Sequence, residues 1–229
     1  FLAGTSGAAT SVSETADGEV ILKPTEGAEF SGTVLPAGWM SGVYGGSPAA
    51  VGGGHVSVEG AYAATTAYYG PGRSVEFVAT FDAAAGGQHA GFGLDLNTAP
   101  WAIFSTASGG ILQARSNDGS DFSETISGVT LGVPHRFRID WTSAQCIYSI
   151  DGTPVATHTV AIATTMRPIV SDAPLDGKPL QADWVRMAPY PAAGSFTSRV
   201  FDAGGPATWG LASWSNSLPA NTSLAMFER

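Results

Sequence analysis

The 229-residue sequence predicts an all-β fold, a sandwich of two antiparallel sheets, and three observations carry that expectation. Short runs that alternate apolar and polar residues recur about every 8 to 12 residues, each bounded by Gly, Pro, Asn, Asp or Ser. Glycine fills 30 positions while charged residues make up only 13%, a balance that suits many tight turns. No window sustains a 3.6-residue apolar period, so no amphipathic helix is expected.

Residues 1–28 are rich in Gly, Ser and Thr and hold one clear strand at Glu19–Leu22 before Pro24, so they are expected to be an edge strand or a linker. Phe30–Trp39 reads as a turn-rich entry, with Trp39 in the core or on its rim. The glycines at 45, 46 and 52–54 bracket a loop; without a following lysine or a helix they do not cradle a phosphate. His55–Glu59 and Ser74–Phe81 alternate as strands, with Val75, Phe77, Ala79 and Phe81 on the apolar side. Between them, the paired aromatics of Tyr68-Tyr69-Gly70-Pro71-Gly72 either line a sugar site or clamp the turn. Strands follow at His89–Leu96, Trp101–Thr106 and Ile111–Ser116. After the turn at Asn117-Asp118-Gly119, the acids Asp118, Asp121 and Glu124 read as a solvated loop, because the alternating acid ladder of an EF-hand is missing.

Pro134–Gly152 is the central hairpin. Phe137, Ile139 and Trp141 alternate with Arg136, Arg138 and Asp140, the pattern of a half-buried strand. A polar turn at Thr142–Ala144 leads into Cys146–Ile150, which ends at Asp151-Gly152, where Gly accepts positive φ. Trp141 and Phe137 are expected between the sheets. Val155–Val160, Arg167–Ser171 and a closing strand Leu180–Met187 come next, the last after a polar loop with Asp172, Asp176 and Gly177. Beyond Pro189 the texture shifts to a linker at Tyr190–Gly194 and then to further strand-like runs. The expected organisation is therefore an N-terminal segment 1–28, a sandwich 29–190, and a linker with a short β appendage over 191–229.

The formal net charge of −9 speaks against nucleic acid or an anionic membrane as partner, since both are bound by basic patches. The single cysteine, Cys146, cannot form an internal disulfide and reads as a small buried hydrophobe. There is no run of about 18 apolar residues, so membrane insertion is not expected. The opening residues Phe1–Thr5 lack a charged and then apolar leader, and the chain reads as a piece of a larger protein with further domains. Asn221-Thr222-Ser223 is formally a glycosylation acceptor and is read as a turn.

His135–Thr142 (HRFRIDWT) followed by Ile147–His158 (IYSIDGTPVATH), with Gln181–Met187 (QADWVRM) near the end, resembles the concanavalin A-like jelly rolls, in particular laminarinase-type glucanases and laminin-G-like binding modules. The resemblance implies a two-sheet jelly roll and a glycan as partner, and it allows calcium as the only cofactor. The tail beyond 194 resembles segments found between modules of large bacterial surface proteins, which implies an extracellular or cell-surface location. Glucanases of this type carry Glu-x-Asp-x-x-Glu on one strand, because nucleophile and acid must stand about 5 to 5.5 Å apart. At the equivalent place in the order this chain has Trp101–Ala107 (WAIFSTA) or Ile111–Asn117 (ILQARSN), and neither holds an acid.

Other catalytic patterns are missing too. There is no Gly-x-Ser-x-Gly, no His-Glu-x-x-His, and His55, His89, His135 and His158 are scattered. Glu76, His89, Asp95, Gln113, Arg115, Arg136, Arg138 and Asp140 all fall on the non-core parity of their runs, either as cross-strand ion pairs or as a functional strip if their strands adjoin. The expected function is a non-catalytic carbohydrate-binding, adhesion or spacer module, and the alternative is a divergent glycoside hydrolase or polysaccharide lyase. The candidate ligand residues are Trp101, Arg115, Arg138 and His89, with Tyr68 and Tyr69 closing one end; arginine there suits an acidic or sulfated glycan. Trp101 has a second reading as a plug of the core at its strand end.

Overall fold

Alternation gives each strand one face that must leave water, and two sheets meeting on those faces satisfy many strands at once. The computed structural model describes residues 3–14, 18–200, 202–208, 210, 211, 216, 218 and 221–227. In chain order the strands are β1 Thr5–Ser6, β2 Thr10–Val12, β3 Val20–Leu22, β4 Glu26–Ala28, β5 Trp39–Val43, β6 Ala50–Gly52, β7 His55–Val58, β8 Ala61–Thr65, β9 Arg73–Thr80 and β10 Gln88–Gly93. They continue as β11 Trp101–Ala107, β12 Ile111–Asn117, β13 Asp121–Thr125, β14 His135–Trp141, β15 Cys146–Ile150, β16 Thr153–His158, β17 Arg167–Asp172, β18 Leu180–Met187 and β19 Phe196–Thr197. Among the described residues there is no helix.

One sheet of seven strands runs β13-β12-β11-β10-β17-β8-β5, and one of eight runs β16-β15-β14-β9-β18-β7-β6 with β4 added beside β18. The pairings are antiparallel. Strands β9 and β10 follow each other in sequence yet belong to different sheets, as do β17 and β18. These crossings at the middle of both sheets make the sandwich a jelly roll.

The core is an aromatic layer between the sheets. Phe137 stacks on Phe77 of the neighbouring strand at 5.4 Å and meets Phe104 of the facing sheet at 4.8 Å. Trp141 packs against Phe92 of the facing sheet at 5.3 Å, and its indole N–H donates to the Ile162 carbonyl at 3.0 Å. Both Phe137 and Trp141 are buried, as the alternation of β14 predicts. Trp39 belongs to this core as well, edge-on to Phe30 at 5.1 Å. Cys146 is free and buried, and burial pushes its thiol up to about 11.

A carboxylate ties the two sheets together at one end. Asp172 closes β17 with no exposed surface; its Oδ2 accepts from Gln88 Nε2 at 3.0 Å in its own sheet and from the Leu180 N–H at 3.1 Å in the other. Its Oδ1 has no partner. Burial pushes this carboxyl up to about 6, against the hydrogen bonds from Gln88 and Leu180 that favour its charged form.

Several elements differ from the sequence expectation. β8 (AYAAT) lies inside the seven-stranded sheet between β17 and β5, where its alanines give little β signal. Residues 121–125, expected as a solvated loop, form the exposed edge strand β13. β10 stops at Gly93 rather than Leu96, where the chain bends and Leu96 takes φ 62°. The chain divides into two compact units, Phe1–Ser198 and Arg199–Arg229. In the first, residues 1–28 contribute the β2–β3 hairpin, β4 on the eight-stranded sheet, and β1 paired with β19. In the second no strand occurs among the described residues, Asn221 turns with φ 63°, and the expected runs around Trp209 and Trp214 lie outside the described residues.

Trp141→Ala removes a fully buried indole and its hydrogen bond, and should lower unfolding free energy by about 3 to 5 kcal/mol in a denaturant titration. Asp172 gives a pH signature. Its folded pKa lies above the ordinary 3.8, so the stability it contributes is complete below that value and is lost as pH rises through about 6. Denaturation midpoints should therefore rise more between about pH 7 and about pH 5 in the parent than in Asp172→Asn.

Candidate functional site

Strand parity divides the polar groups between two outer faces. On the seven-stranded sheet the outward positions align in rows: Tyr62, Ser171, His89, Ser105 and Gln113; then Ala64, Ile169, Gly91, Ile103 and Arg115; then Arg167, Gly93, Trp101, Asn117 and Asp121. On the eight-stranded sheet Arg186, Glu76, Arg138 and Ser149 form one row, and Trp184, Val78 and Arg136 the next.

His89, Trp101 and Arg115 thus share the outer face of the seven-stranded sheet. Tyr68 joins them from the loop between β8 and β9, half exposed, with its ring 4.9 Å from the Arg167 guanidinium. Arg138 does not join them. It stands on the outer face of the other sheet, bonded to Asp140 at 2.9 Å through Nε and paired with Glu76 at 3.8 Å. Parity says which side of its own sheet a residue takes; it does not say which sheet the strand enters, and β14 pairs with β9 and β15. The strip expected from eight polar residues is split for the same reason. Glu76, Arg136, Arg138 and Asp140 lie on one outer face, His89, Gln113 and Arg115 on the other, and Asp95 in the loop after β10.

Tyr69 is also elsewhere. Consecutive side chains leave an extended chain on opposite sides, and Tyr69 turns to β4, donating its hydroxyl to Glu26 with Arg73 over its ring at 5.2 Å. Burial and the Glu26 hydrogen bond push its phenol up to about 12, so this aromatic clamps the turn.

Three groups define the face chemically. Trp101 is part-exposed at the mouth of β11, with Arg115 stacked over it at 5.6 Å and a buried indole N–H that has no partner. The core-plug reading of Trp101 therefore does not hold. Arg115 also pairs with Asp121 at 2.7 Å. His89 places Nδ1 at 2.8 Å from Ser105 Oγ; burial, and then the charge of Arg115, push its imidazole down to about 4, so it is neutral at physiological pH.

Sequence reasoning missed Arg167, Tyr44, Tyr62, Ser105 and Ser171. In β17 (RPIVSD) every residue is buried, so the alternation that would mark Arg167, Ile169 and Ser171 as outward is hidden. Tyr44 follows β5, donates to the Asp95 carbonyl at 2.6 Å and meets Ser171 Oγ at 3.1 Å. Arg167 donates through Nε to the Leu94 carbonyl at 2.9 Å. These two bonds draw the chain out of β10 after Gly93 and over the face, where Leu96 fills the space that a side chain at Gly93 would need. Gly91, beside it, has φ 147°, and a Cβ there would sit 2.5 Å from the Ala102 carbonyl and 2.6 Å from Ile139 Cδ1.

The outward positions of β11 are Trp101, Ile103 and Ser105, none of them a carboxylate. Of the acids bordering the face, Asp95 caps the Asn97 amide at 3.0 Å and Asp121 is bound to Arg115. The groups on offer are aromatic, hydroxyl, amide and guanidinium. The calcium candidates do not fit an ion: Asp118 accepts from the Ser120 amide at 3.2 Å, Asp121 faces Arg115, and Glu124 faces His158 at 3.9 Å. Among the described residues no three acids, histidines or cysteines gather as a metal site. Two shallow depressions lie away from this face, one at Lys23, Pro24 and Tyr190 and one at Pro48, Glu59 and Leu175.

The two-sheet jelly-roll fold is shared with solved glycoside hydrolases. It superposes on a glycosyl hydrolase family protein from Mycobacterium fortuitum with TM-score 0.54 at 16% identity, over 73% of this chain and 100% of that one. An endo-β-1,3-glucanase from Pyrococcus furiosus gives TM-score 0.54 at 14% identity over 84% and 100%. β-Agarase A from Zobellia galactanivorans gives 0.52 at 13% identity over 84% and 95%. No family profile and no curated protein sequence matches the chain.

With its pKa near 4, His89 should hold its neutral ring signals through neutral pH and titrate only in acid; a midpoint near the ordinary 6.5 in an NMR titration would contradict the packing of Arg115 and Ser105 around it.

Proposed function

We propose that this chain is a glycan-recognition module that holds a saccharide on the outer face of its seven-stranded sheet and does not cleave it there. Trp101 is the observation that carries the reading. Its ring is part-exposed at the mouth of β11 with Arg115 over it, an apolar surface flanked by a cation that suits the C–H face of a sugar, and its buried indole N–H lacks an acceptor. Around it Gln113, Asn117, His89 and Arg115 supply fixed donors and acceptors for hydroxyls on a surface formed in advance by the strand register. Such a module serves adhesion or targeting within a secreted or surface-attached protein that carries further domains.

Cleavage is the second reading, and the fold favours it: solved structures of this architecture include a β-1,3-glucanase and a β-agarase. Against it stands the row Trp101, Ile103 and Ser105, which leaves β11 without a nucleophile or an acid. Titration with laminarin, agarose and uronic-acid oligosaccharides, run beside a reducing-sugar release assay, separates the two. The expected outcome is saturable binding without sugar release, weakened about tenfold or more in Trp101→Ala, a loss of at least ~1.4 kcal/mol. Release of reducing ends at ordinary enzyme rates, abolished by replacing one acid, would establish the second reading.

A further inference from the structure

Half of the ten lysines and arginines of this acidic chain stand against a carboxylate. Arg115, Arg136, Arg138, Lys178 and Arg186 each face a carboxylate. Arg167 is different. It is 4% exposed, and among the described residues no carboxylate pairs with it. Its acceptors are neutral: the Leu94 carbonyl through Nε at 2.9 Å, and the Thr65 carbonyl at 3.0 Å and the Met40 sulfur through Nη1. The rings of Tyr62 at 5.7 Å and Tyr68 at 4.9 Å flank it. Asp95, the acid nearest in the covering loop, offers Arg167's surroundings its carbonyl and spends its carboxylate on the amides of Asn97 and Thr98.

Withdrawing a guanidinium from water without a counter-charge costs several kcal/mol, and two cation–π contacts return only about 0.5 to 2 kcal/mol each. The cost is offset where a ligand brings the missing anion. One edge remains for it: among the described residues Nη2 has no hydrogen-bond partner, and it is not among the fully buried unpartnered atoms, Trp39 Nε1, Trp101 Nε1 and Asp172 Oδ1. Arg167 lies on the same cross-strand row as Trp101, with Gly93 between them and the Leu96 side chain packed over Gly93.

We propose that Arg167 is an anion subsite of this face, one that selects a saccharide bearing a ring oxyanion, a uronate carboxylate or a sulfate ester, over a neutral one. The N–H groups of Nη2 are the donors left for an oxyanion oxygen, and caging between tyrosines fixes where they point. Net charge −9 does not oppose this, because a buried cation sets the local potential while the surface acids lie in water. The inference rests on the glycan-recognition reading and names its ligand class.

Calorimetric titration of the whole chain with length-matched neutral laminari-oligosaccharides, oligogalacturonates and sulfated carrageenan oligosaccharides tests it. One acidic set should bind about tenfold tighter than the neutral set, and which one tells carboxylate from sulfate. Arg167→Gln should abolish that preference and leave neutral affinity within about twofold. Should Arg167→Gln not fold, Tyr68→Ala, at a half-exposed ring, should weaken the acidic set about threefold or more beyond any effect on the neutral set. Equal affinity for acidic and neutral sugars, or a preference that survives in these variants, overturns the subsite while leaving the glycan reading standing. No binding by any set overturns both.

Discussion

The structure depends on two sets of ring contacts between the sheets, Phe77 and Phe137 against Phe104, and Trp141 against Phe92. Phe137 and Trp141 come from β14 and meet rings of the facing sheet, so this one strand fixes which side of the eight-stranded sheet is inward. Register then carries the assignment strand by strand, because each cross-strand pair shares a side. Once Phe104 and Ala102 point in, Trp101, Ile103 and Ser105 have to point out, and the same holds along β10, β12 and β17. The chemistry of the outer face is thus a consequence of the core.

The two outer faces are used differently. On the eight-stranded sheet Arg186 faces Glu29, Arg136 faces Glu76, and Arg138 lies between Glu76 and Asp140, so the charges are spent on each other. Such exposed and half-exposed pairs add little to stability and leave nothing for a ligand to neutralise. The seven-stranded face keeps groups whose partners are incomplete: a buried arginine without a carboxylate, an indole N–H without an acceptor, a neutral histidine. Incomplete partners inside a folded surface are unfavourable on their own, which is why the proposed ligand site is put on this face.

Much of this was legible in the sequence. The central hairpin, the closing strand Leu180–Met187 and the burial of Trp141 follow from alternation and from the Asp-Gly turn, because those are local rules. Which sheet a strand joins is not local, so Arg138 and Arg115, alike in parity, ended on opposite faces. β8 escaped notice because alanine carries little strand preference; β17 was expected at Arg167–Ser171, but with both of its sides covered its outward residues were not legible. Arg167 could have been suspected from one feature alone, a charged residue directly before the apolar stretch Pro168–Val170. Its lack of a counter-ion required the tertiary structure.

Mapping the ligand with NMR tests the central claim most directly, through the indole N–H signals of the tryptophans and the Nε–H signals of the arginines. On adding an acidic oligosaccharide the account predicts shifts at Trp101 and Arg167, with Trp141, sealed in the core, and Trp184, on the far face, unmoved. Shifts confined to Trp184, Arg138 and Arg186 would contradict it and place recognition on the eight-stranded sheet.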